Sequence, residues 1–454
     1  MKKVLVSLIL LCSVLSAQSQ IKIPYTRYVL PNGLNVILHE DHSTPTVTVN
    51  TWYHVGSGYE KPGRTGFAHL FEHLMFMGSG HVAEGQFDKL LEAAGANNNG
   101  STTEDRTNYY EDLPSNALEL ALYLDSDRMG FLADAMTPQS VDAQRAVVKN
   151  ERRQSYENRP YGLADETILK NLYPAGHPYS WPVIGSMADL GAATYEDVVE
   201  FFKTYYVPNN ASISIAGDIN PKETLKLVEK WFGGIPAGKP VPPQNPVAAR
   251  LDGEKILLLE DRVQLPRLYI TWITPQRFAP GDAEMDVLGN ILSGGKNSRL
   301  YQKLVYELQI AQDVRASQNS GKLSSQFQIV ATARPGHNLE ELKKVIQDEI
   351  NKIKNEAPGT RELQRVVNQY EASFLNGLEK PGGFGGKANQ LNEYFYYAGN
   401  PDYANEDLAR YKSLAVDDIQ SAAQTYLPDN GRVVLSIVPK GKTDLAVQSK
   451  AEGK

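Results

Sequence analysis

The chain has 454 residues, more than one compact core usually holds, which indicates two or more domains. Its composition is that of a globular protein, with 41% hydrophobic residues, 22% charged residues and a net charge of −7. This mildly acidic balance, without a long basic run, argues against nucleic acid as the main partner. No stretch after the first residues is long and apolar enough to predict a membrane span.

The first residues have the pattern of an export signal. Two lysines follow the initiator methionine, and Val4–Leu15 is an apolar run too short to span a bilayer. The small residues Ala17 and Ser19 are placed for cleavage after residue 19. We therefore expect residues 1–19 to be a signal peptide and the mature chain to be exported, into a periplasm or out of the cell. The only cysteine, Cys12, lies in this leader, so the mature chain can use neither disulfides nor cysteine chemistry.

Two strand patterns follow the leader. Ile21–Leu38 alternates apolar and polar residues around the turn Pro31-Asn32-Gly33, which predicts a strand, a turn and a second strand. Thr46–His54 alternates in the same way and predicts another strand. Sheet structure is therefore expected before the first helix.

The stretch Gly66–Gly78 carries the strongest chemical signal in the chain. It contains no proline, and Thr65 and the final glycine are suited to begin and end a helix. On a helix His69 and His73 share one face, so their imidazoles could bind one tetrahedral metal ion, for which zinc is the usual choice. Glu72 lies about 100° from His73 around the helix and could hydrogen-bond a water that the metal activates. His-x-x-Glu-His is the pattern of the inverted zinc proteases, although two histidines at this spacing are more often packed or surface residues.

Asn97–Tyr110 predicts a hairpin beyond that helix. It begins with a Gly/Asn turn and continues into Thr- and Tyr-rich sequence that favours strands. An edge strand here could offer its backbone to an extended peptide. A plain hairpin at the edge of a sheet explains the same residues, so the sequence leaves both interpretations open.

Amphipathic helices fill the rest of the first half, and one of them contains Asn150 and Glu151. The predicted helices are Phe87–Ala94, Ala117–Phe131, Ser140–Tyr156, Tyr195–Tyr206 and Pro221–Trp231, with a strand at Ala211–Ala216 before the last of them.

Residues 233–250 divide the chain near its middle. They contain five prolines, a density that excludes regular structure and is typical of a semi-rigid linker. The same sequence of elements, a helix, a short motif and a strand, occurs on both sides of the linker. The motif is Tyr206-Val207-Pro208-Asn209-Asn210 before the linker and Tyr426-Leu427-Pro428-Asp429-Asn430 after it. This repetition predicts an α+β fold of two tandem homologous domains, 20–232 and 251–440, each a mostly antiparallel sheet packed with helices, and then a polar tail at 441–454.

Only the first half carries the metal-ligand pattern. The helices predicted at Met285–Leu292 and Ser298–Leu308 contain no histidine, and His337 stands alone beside a Pro-Gly turn. We therefore expect the second half to be scaffold or a wall of the substrate site.

Together, the histidine helix, Asn150-Glu151 and the tandem halves resemble the pitrilysin-type zinc peptidases (the M16 family, or inverzincins), from roughly Ile23 to Val438. That family includes insulin-degrading enzyme and mitochondrial processing peptidase, and the chain is similar to the shorter two-domain members such as the beta subunit of the latter. The resemblance implies a zinc-dependent endopeptidase in which two chains pair into a clamshell-like chamber that admits unfolded peptides or small proteins. A homodimer and a heterodimer both remain open.

The roles of individual residues follow from the resemblance. His69 and His73 match the two metal histidines of the family, and Glu151 matches the third zinc ligand. Glu72 matches the general base that takes a proton from the attacking water. Asn99-Gly100-Ser101-Thr102 is similar to the strand that holds the substrate backbone beside the zinc.

Two features depart from the family pattern. Gln144 stands where a second glutamate is common, so Gln144 and Asn150 are expected to support the ligands by hydrogen bonds rather than by charge. The Arg and Tyr with which active members hold the reacting carbonyl have no clear match, and Arg299 is either a candidate or a helix-end residue. A zinc-bearing subunit that needs a partner chain, and a non-catalytic peptide-binding subunit, are therefore alternatives to a self-sufficient enzyme.

Overall fold

A computed structural model describes residues 21–244, 246, 248–380 and 382–448. The predicted signal peptide at 1–19 and the end of the predicted tail lie outside the described residues. Within these ranges no helix combines the length and the apolar character needed to cross a membrane.

The first sheet in the described chain has six strands. They are β1 (Thr26–Val29), β2 (Asn35–Glu40), β3 (Thr46–Tyr53), β4 (Asn97–Thr102), β5 (Thr107–Pro114) and β6 (Ala211–Gly217). Their order in space is β1-β2-β6-β3-β5-β4, and all neighbours are antiparallel except the parallel pair of β2 and β6. The hairpin predicted around residues 97–110 is therefore confirmed, and β4 lies at the edge of its sheet.

A second sheet of five strands follows in the described part of the second half. They are β7 (Gly253–Asp261), β8 (Arg267–Thr274), β9 (Ala311–Asn319), β10 (Ser325–Ala333) and β11 (Gly431–Pro439). Their order is β7-β11-β8-β10-β9, with β7 and β11 parallel and the other pairs antiparallel. If β2 to β6 are counted in chain order, they lie in the sheet in the order first, fifth, second, fourth, third. The strands β7 to β11, counted in the same way, lie in the same order. The predicted tandem α+β fold is therefore confirmed.

Helices connect the strands in both halves. Those of the first half are α1 (Phe67–Leu74), α2 (Gln86–Ala93), α3 (Leu118–Ala135), α4 (Pro138–Arg152), α5 (Ala164–Leu172), α6 (Met187–Ala192), α7 (Tyr195–Tyr205) and α8 (Pro221–Phe232). Those of the second half are α9 (Asp282–Ser293), α10 (Leu339–Asn355), α11 (Thr360–Leu378), α12 (Lys387–Ala398), α13 (Ala404–Lys412) and α14 (Val416–Tyr426). The described residues of the predicted linker beyond Ile235 form no helix or strand.

Each half has its own apolar core between a sheet and its helices. Val49 and Ile215 of the first sheet pack in one buried cluster with Phe71 of α1. Ile270 of the second sheet packs in another with Leu288 of α9. α1 lies between β3 and β4, and α9 lies between the corresponding strands β8 and β9. α9 is therefore the counterpart of the histidine helix. As predicted, it contains no histidine.

The two halves are joined by polar contacts as well as by the linker. α12 of the second half packs against β3 and β6 of the first sheet, where the indole of Trp52 donates to Asn389 Oδ1 at 3.1 Å. Asp105, buried in the turn between β4 and β5, accepts hydrogen bonds from the Lys322 backbone N–H at 2.9 Å and the Tyr397 hydroxyl at 3.2 Å. The hairpin that carries the edge strand β4 is therefore held by both halves.

The packed chain continues into the predicted polar tail. Ala446 and Val447 are buried, and the Val447 N–H donates to Ser436 Oγ at 3.0 Å. The second half therefore packs beyond the boundary expected at residue 440. The other predicted domain boundaries stay predictions.

Candidate metal centre

The start of α1 is fixed by a carboxylate rather than by the threonine predicted to cap it. Glu60 accepts hydrogen bonds from the N–H groups of Gly66 at 2.9 Å and Ala68 at 2.8 Å. The Thr65 hydroxyl instead donates to Asp189 Oδ2 at 2.6 Å, and this bond ties the helix start to α6. The prediction that Thr65 caps the helix is therefore wrong, because a carboxylate satisfies the free N–H groups of the first turn in its place.

α1 is shorter than predicted but keeps the predicted faces. It ends at Leu74 rather than near Gly78, with Leu70 and Phe71 buried in the core of the first half. The opposite face carries His69 and His73, whose side chains are 12% and 26% exposed. The four-residue spacing places both imidazoles on this face, with ring centroids 4.8 Å apart.

α4 brings the third residue of the group. The Thr137 side chain caps its start, and Glu151 lies in its last turn. Arg152 then fixes the end of the helix, because its guanidinium donates to the Gly185 carbonyl at 2.7 Å and to Glu166 Oε2 at 2.6 Å. Sequence reasoning missed Arg152 and Glu60. The only signal for Arg152 was its place directly after Glu151, and the only signal for Glu60 was a carboxylate shortly before a helix.

The three predicted metal ligands meet at one point. Glu151 Oε2 lies 3.2 Å from His73 Nε2 and 3.7 Å from His69 Nε2, and the three ligand atoms all lie within 4.8 Å of one another. Ligand atoms about 2.1 Å from one tetrahedral zinc ion would be about 3.4 Å apart. Two imidazoles and one carboxylate are also a donor set that zinc uses at catalytic sites. The residues therefore fit zinc.

The surroundings of the cluster favour the protonation states that bind a metal. Burial lowers the pKa of His69, which favours the neutral imidazole. A hydrogen bond with His73 lowers the pKa of Glu151, which favours the carboxylate. Both shifts reduce the number of protons that a metal ion has to displace.

The predicted general base lies between the histidine helix and the edge strand. Thr102 of β4 donates a hydrogen bond from Oγ1 to Glu72 Oε2 at 2.5 Å. In the same strand the Gly100 N–H donates to Asn99 Oδ1 at 2.8 Å, and the Ser101 carbonyl accepts a hydrogen bond from Arg106 at 2.8 Å. The four residues predicted to hold substrate therefore lie on the edge strand beside Glu72, while their contact with a substrate stays a prediction.

Three other predicted residues form no hydrogen bond with the ligand atoms within the described chain. The side-chain amide of Gln144 donates to Met77 Sδ at 3.0 Å. Asn150 is exposed, and its side chain forms no hydrogen bond within the described residues. Arg299 binds Glu362 through two N–H groups, at 2.9 and 2.7 Å. The contacts thus give no support to Gln144 or Asn150 as direct partners of the ligands, or to Arg299 as a donor to the reacting carbonyl.

A large cavity opens beside Glu151. Its volume is about 810 Å³, and its walls come from residues 151–165 of the first half and from β8, β9 and β10 of the second. Because the Glu151 side chain is 39% exposed, the metal cluster is open to this space.

Comparison with known proteins identifies the family. The family model "Insulinase (Peptidase family M16)" matches residues 35–178, which include the histidine helix and Glu151. The model "Peptidase M16 inactive domain" matches residues 192–370. The chain belongs to the M16 peptidase family and contains both of its domains.

Individual relatives resemble the chain over nearly its whole length. "Zinc protease PqqE" of Helicobacter pylori is 28% identical over 417 residues, which are 90% of this chain and 92% of that protein. The crystal structure of a protease from Helicobacter pylori has a TM-score of 0.86 at 26% identity and covers 92% of this chain and 99% of that one. A probable mitochondrial-processing peptidase subunit beta of Arabidopsis thaliana is 24% identical over 432 residues, which are 92% of this chain and 79% of that protein.

The metal centre gives a direct prediction about zinc binding. Glu151→Ala should weaken zinc binding by at least about 100-fold. Loss of a residue that only hydrogen-bonds to a ligand already lowers metal affinity by about 10- to 100-fold, and this change removes a ligand itself. Asn150→Ala is the matched control, and we expect it to retain zinc because the exposed Asn150 side chain forms no hydrogen bond with a ligand in the described chain. Zinc titration against a competing chelator measures both variants. Equal affinity in the Glu151 variant and the wild type would contradict the assignment.

Proposed function

We propose that this chain is a zinc-dependent endopeptidase that hydrolyses unfolded peptides or small proteins after export from the cytoplasm. The observation that carries the proposal is the convergence of His69, His73 and Glu151, with Glu72 beside them and in contact with an edge strand. Membership of the M16 family and relatives named zinc proteases support the same conclusion. The leader pattern at residues 1–19 supports the export step.

The proposed mechanism assigns each residue one task. His69, His73 and Glu151 would hold the ion, and a zinc ion in this position supplies a Lewis acid for carbonyl and water activation. Glu72 accepts a proton from the attacking water and returns it to the leaving amine. The Thr102 hydroxyl orients the Glu72 carboxylate through its 2.5 Å hydrogen bond.

The edge strand suits an extended substrate. β4 has β5 on one side and no strand on the other within the described chain, so a peptide can pair with its open side. At Gly100 the N–H is now bonded to the Asn99 side chain, which a pairing peptide would displace. A substrate bound in this way would pass next to Glu72. Peptides without stable structure can adopt this conformation more easily than folded proteins.

A partner chain is the second candidate, because Arg299, the donor that the sequence suggested, is already paired. Arg299 forms a two-pronged ion pair with Glu362 and is not available to hold a reacting carbonyl. A related chain paired with this one, as a homodimer or heterodimer, would then complete the site. The alternative of a non-catalytic peptide-binding subunit is less favoured, because the ligand cluster and Glu72 are all present.

Cleavage of a mixed pool of unstructured peptides by the purified mature chain tests the proposal. We expect cleavage with zinc, loss of at least 90% of the rate after chelation, and recovery when zinc is added back. No cleavage by a folded, zinc-loaded chain would contradict self-sufficiency and favour the partner-chain form. Cleavage unaffected by chelation would contradict zinc dependence altogether.

A further inference from the structure

The cavity beside Glu151 has a charged wall that the proposed chemistry does not use. One side of it is the chain that continues from α4 into α5, and the other is the face of the second sheet that points away from its apolar core. Arg159 lies on the first side, and Arg267 and Arg315 lie on the second. Three guanidinium groups from separate elements thus line one space that opens onto the metal cluster.

None of these three arginines is neutralised by an ion pair. Salt bridges in the described chain involve many other arginines, but no carboxylate lies within 4 Å of the guanidinium nitrogens of Arg159, Arg267 or Arg315. Arg159 and Arg315 are exposed to the cavity. Since arginine is charged at any physiological pH, the wall keeps their positive charge.

Arg267 is held in place by neutral groups. Its Nε donates to Thr332 Oγ1 at 2.9 Å, and its guanidinium lies 3.8 Å from the centroid of the Tyr161 ring. Tyr161 adopts a φ of 62°, in the left-handed region that side chains other than glycine seldom occupy, and its hydroxyl donates to the Leu265 carbonyl at 2.8 Å. The Tyr161 ring and the Thr332 hydroxyl fix the direction of the Arg267 guanidinium without cancelling its charge.

The acidic groups of the cavity do not balance this charge. Glu151 belongs to the metal cluster. The other carboxylates of the cavity wall are Asp165 and Asp313, which are fewer than the three guanidinium groups. Burial raises the pKa of Asp165, which weakens its negative charge further. The wall away from the metal therefore favours an anionic ligand group.

We propose that this cavity binds a carboxylate of the peptide substrate and so selects peptides with an acidic group near the bond that is hydrolysed. Guanidinium groups bind carboxylates through paired N–H donors, which gives both affinity and orientation. The carboxylate can come from an Asp or Glu side chain or from a free C-terminus. This inference rests on the proposed function, because it takes the ligand to be the substrate of the neighbouring metal centre.

Peptide binding to the inactive Glu72→Gln chain tests the site without turnover. The probes are fluorescent, unstructured peptides that carry one Glu at successive positions, the same peptides with Gln, and each peptide with a free or an amidated C-terminus. Arg159→Gln and Arg315→Gln, combined in one variant, remove two exposed guanidinium groups and should leave the fold intact. Arg361→Gln is the matched control, because Arg361 is an exposed arginine at the start of α11, on the helical side of the second half.

We expect the double variant to weaken binding of the acidic peptide by about tenfold or more and to leave the neutral, amidated peptide unchanged. Sensitivity to Glu→Gln identifies a side chain as the source of the carboxylate, and sensitivity to amidation identifies the C-terminus. Equal loss for acidic and neutral peptides, or no loss, overturns the proposal. Acid-selective binding by the Glu72→Gln chain, together with no cleavage of the same peptides by the zinc-loaded wild type, would count against the proposed function and leave the binding site standing.

Discussion

Replacing Glu72 with glutamine is expected to lower the rate of peptide hydrolysis by about 10²- to 10⁴-fold while the chain still binds zinc. General acid–base groups contribute rate factors of this size, and glutamine cannot accept the proton of the attacking water. Metal binding should persist, because the clustered ligand atoms belong to His69, His73 and Glu151 and not to Glu72. Glutamine can still accept the hydrogen bond from Thr102, so the edge strand should stay in place.

Two measurements on the same preparation separate the possible outcomes. Rates on a peptide that the wild type cleaves give the catalytic effect, and zinc content per chain shows whether the metal site is intact. Glu92→Gln makes the same chemical change at an exposed position of α2 and should change neither quantity. A Glu72 variant with wild-type rates would contradict its role as the base. Loss of zinc together with activity would show that Glu72 supports the metal instead.

The histidine pair could be predicted from sequence because the relevant contact is local. His69 and His73 are four residues apart, so any helix places them on one face. Glu151 joins them only through the packing of α4 on α1, which no spacing rule gives, and the resemblance to a known family supplied it. The two tandem halves were recognisable from the motifs at Tyr206 and Tyr426, but their shared strand order became visible only in the structure.

The prediction that failed concerns the start of α1, where residues outside the helix set the hydrogen bonds. Thr65 has the right residue type to cap α1, but Glu60 and Asp189 approach from neighbouring elements and divide the available hydrogen bonds differently. The supporting role expected for Asn150 stays a prediction, since its exposed side chain forms no hydrogen bond within the described residues. The arginines of the cavity were missed because they come from elements that meet only in the folded chain.

The second large effect is expected from Arg128, which is buried under the hairpin that carries β4. Its guanidinium donates to Glu111 at 2.7 Å and to Asp125 at 2.5 Å, and it lies 4.4 Å from the centroid of the Tyr109 ring. Arg128→Met keeps most of the side-chain volume but leaves two buried carboxylates without their cation. Removing one partner of a buried ion pair costs about 3–5 kcal/mol, so we expect the free energy of unfolding to fall by that amount.

Urea unfolding followed by tryptophan fluorescence measures the loss, with Arg250→Met as the matched control. The Arg250 side chain is 81% exposed and pairs with Asp252 at 2.8 Å, and an exposed pair of this kind contributes about 0–1 kcal/mol. Similar losses in the two variants would contradict a structural role for the buried charges.

The dependence of this loss on pH tests the physical cause. Burial raises the pKa of Glu111 well above its usual range and the charge of Arg128 opposes that rise, so Arg128→Met should raise this pKa further. A carboxyl with a higher pKa in the folded than in the unfolded chain costs stability as the pH rises, because the unfolded chain releases its proton more easily. The stability difference between wild type and variant should therefore widen as the pH rises above the pKa that Glu111 has in the folded wild type. A difference that stays constant as the pH rises would mean that lost packing, rather than an unpaired carboxylate, destabilises the variant.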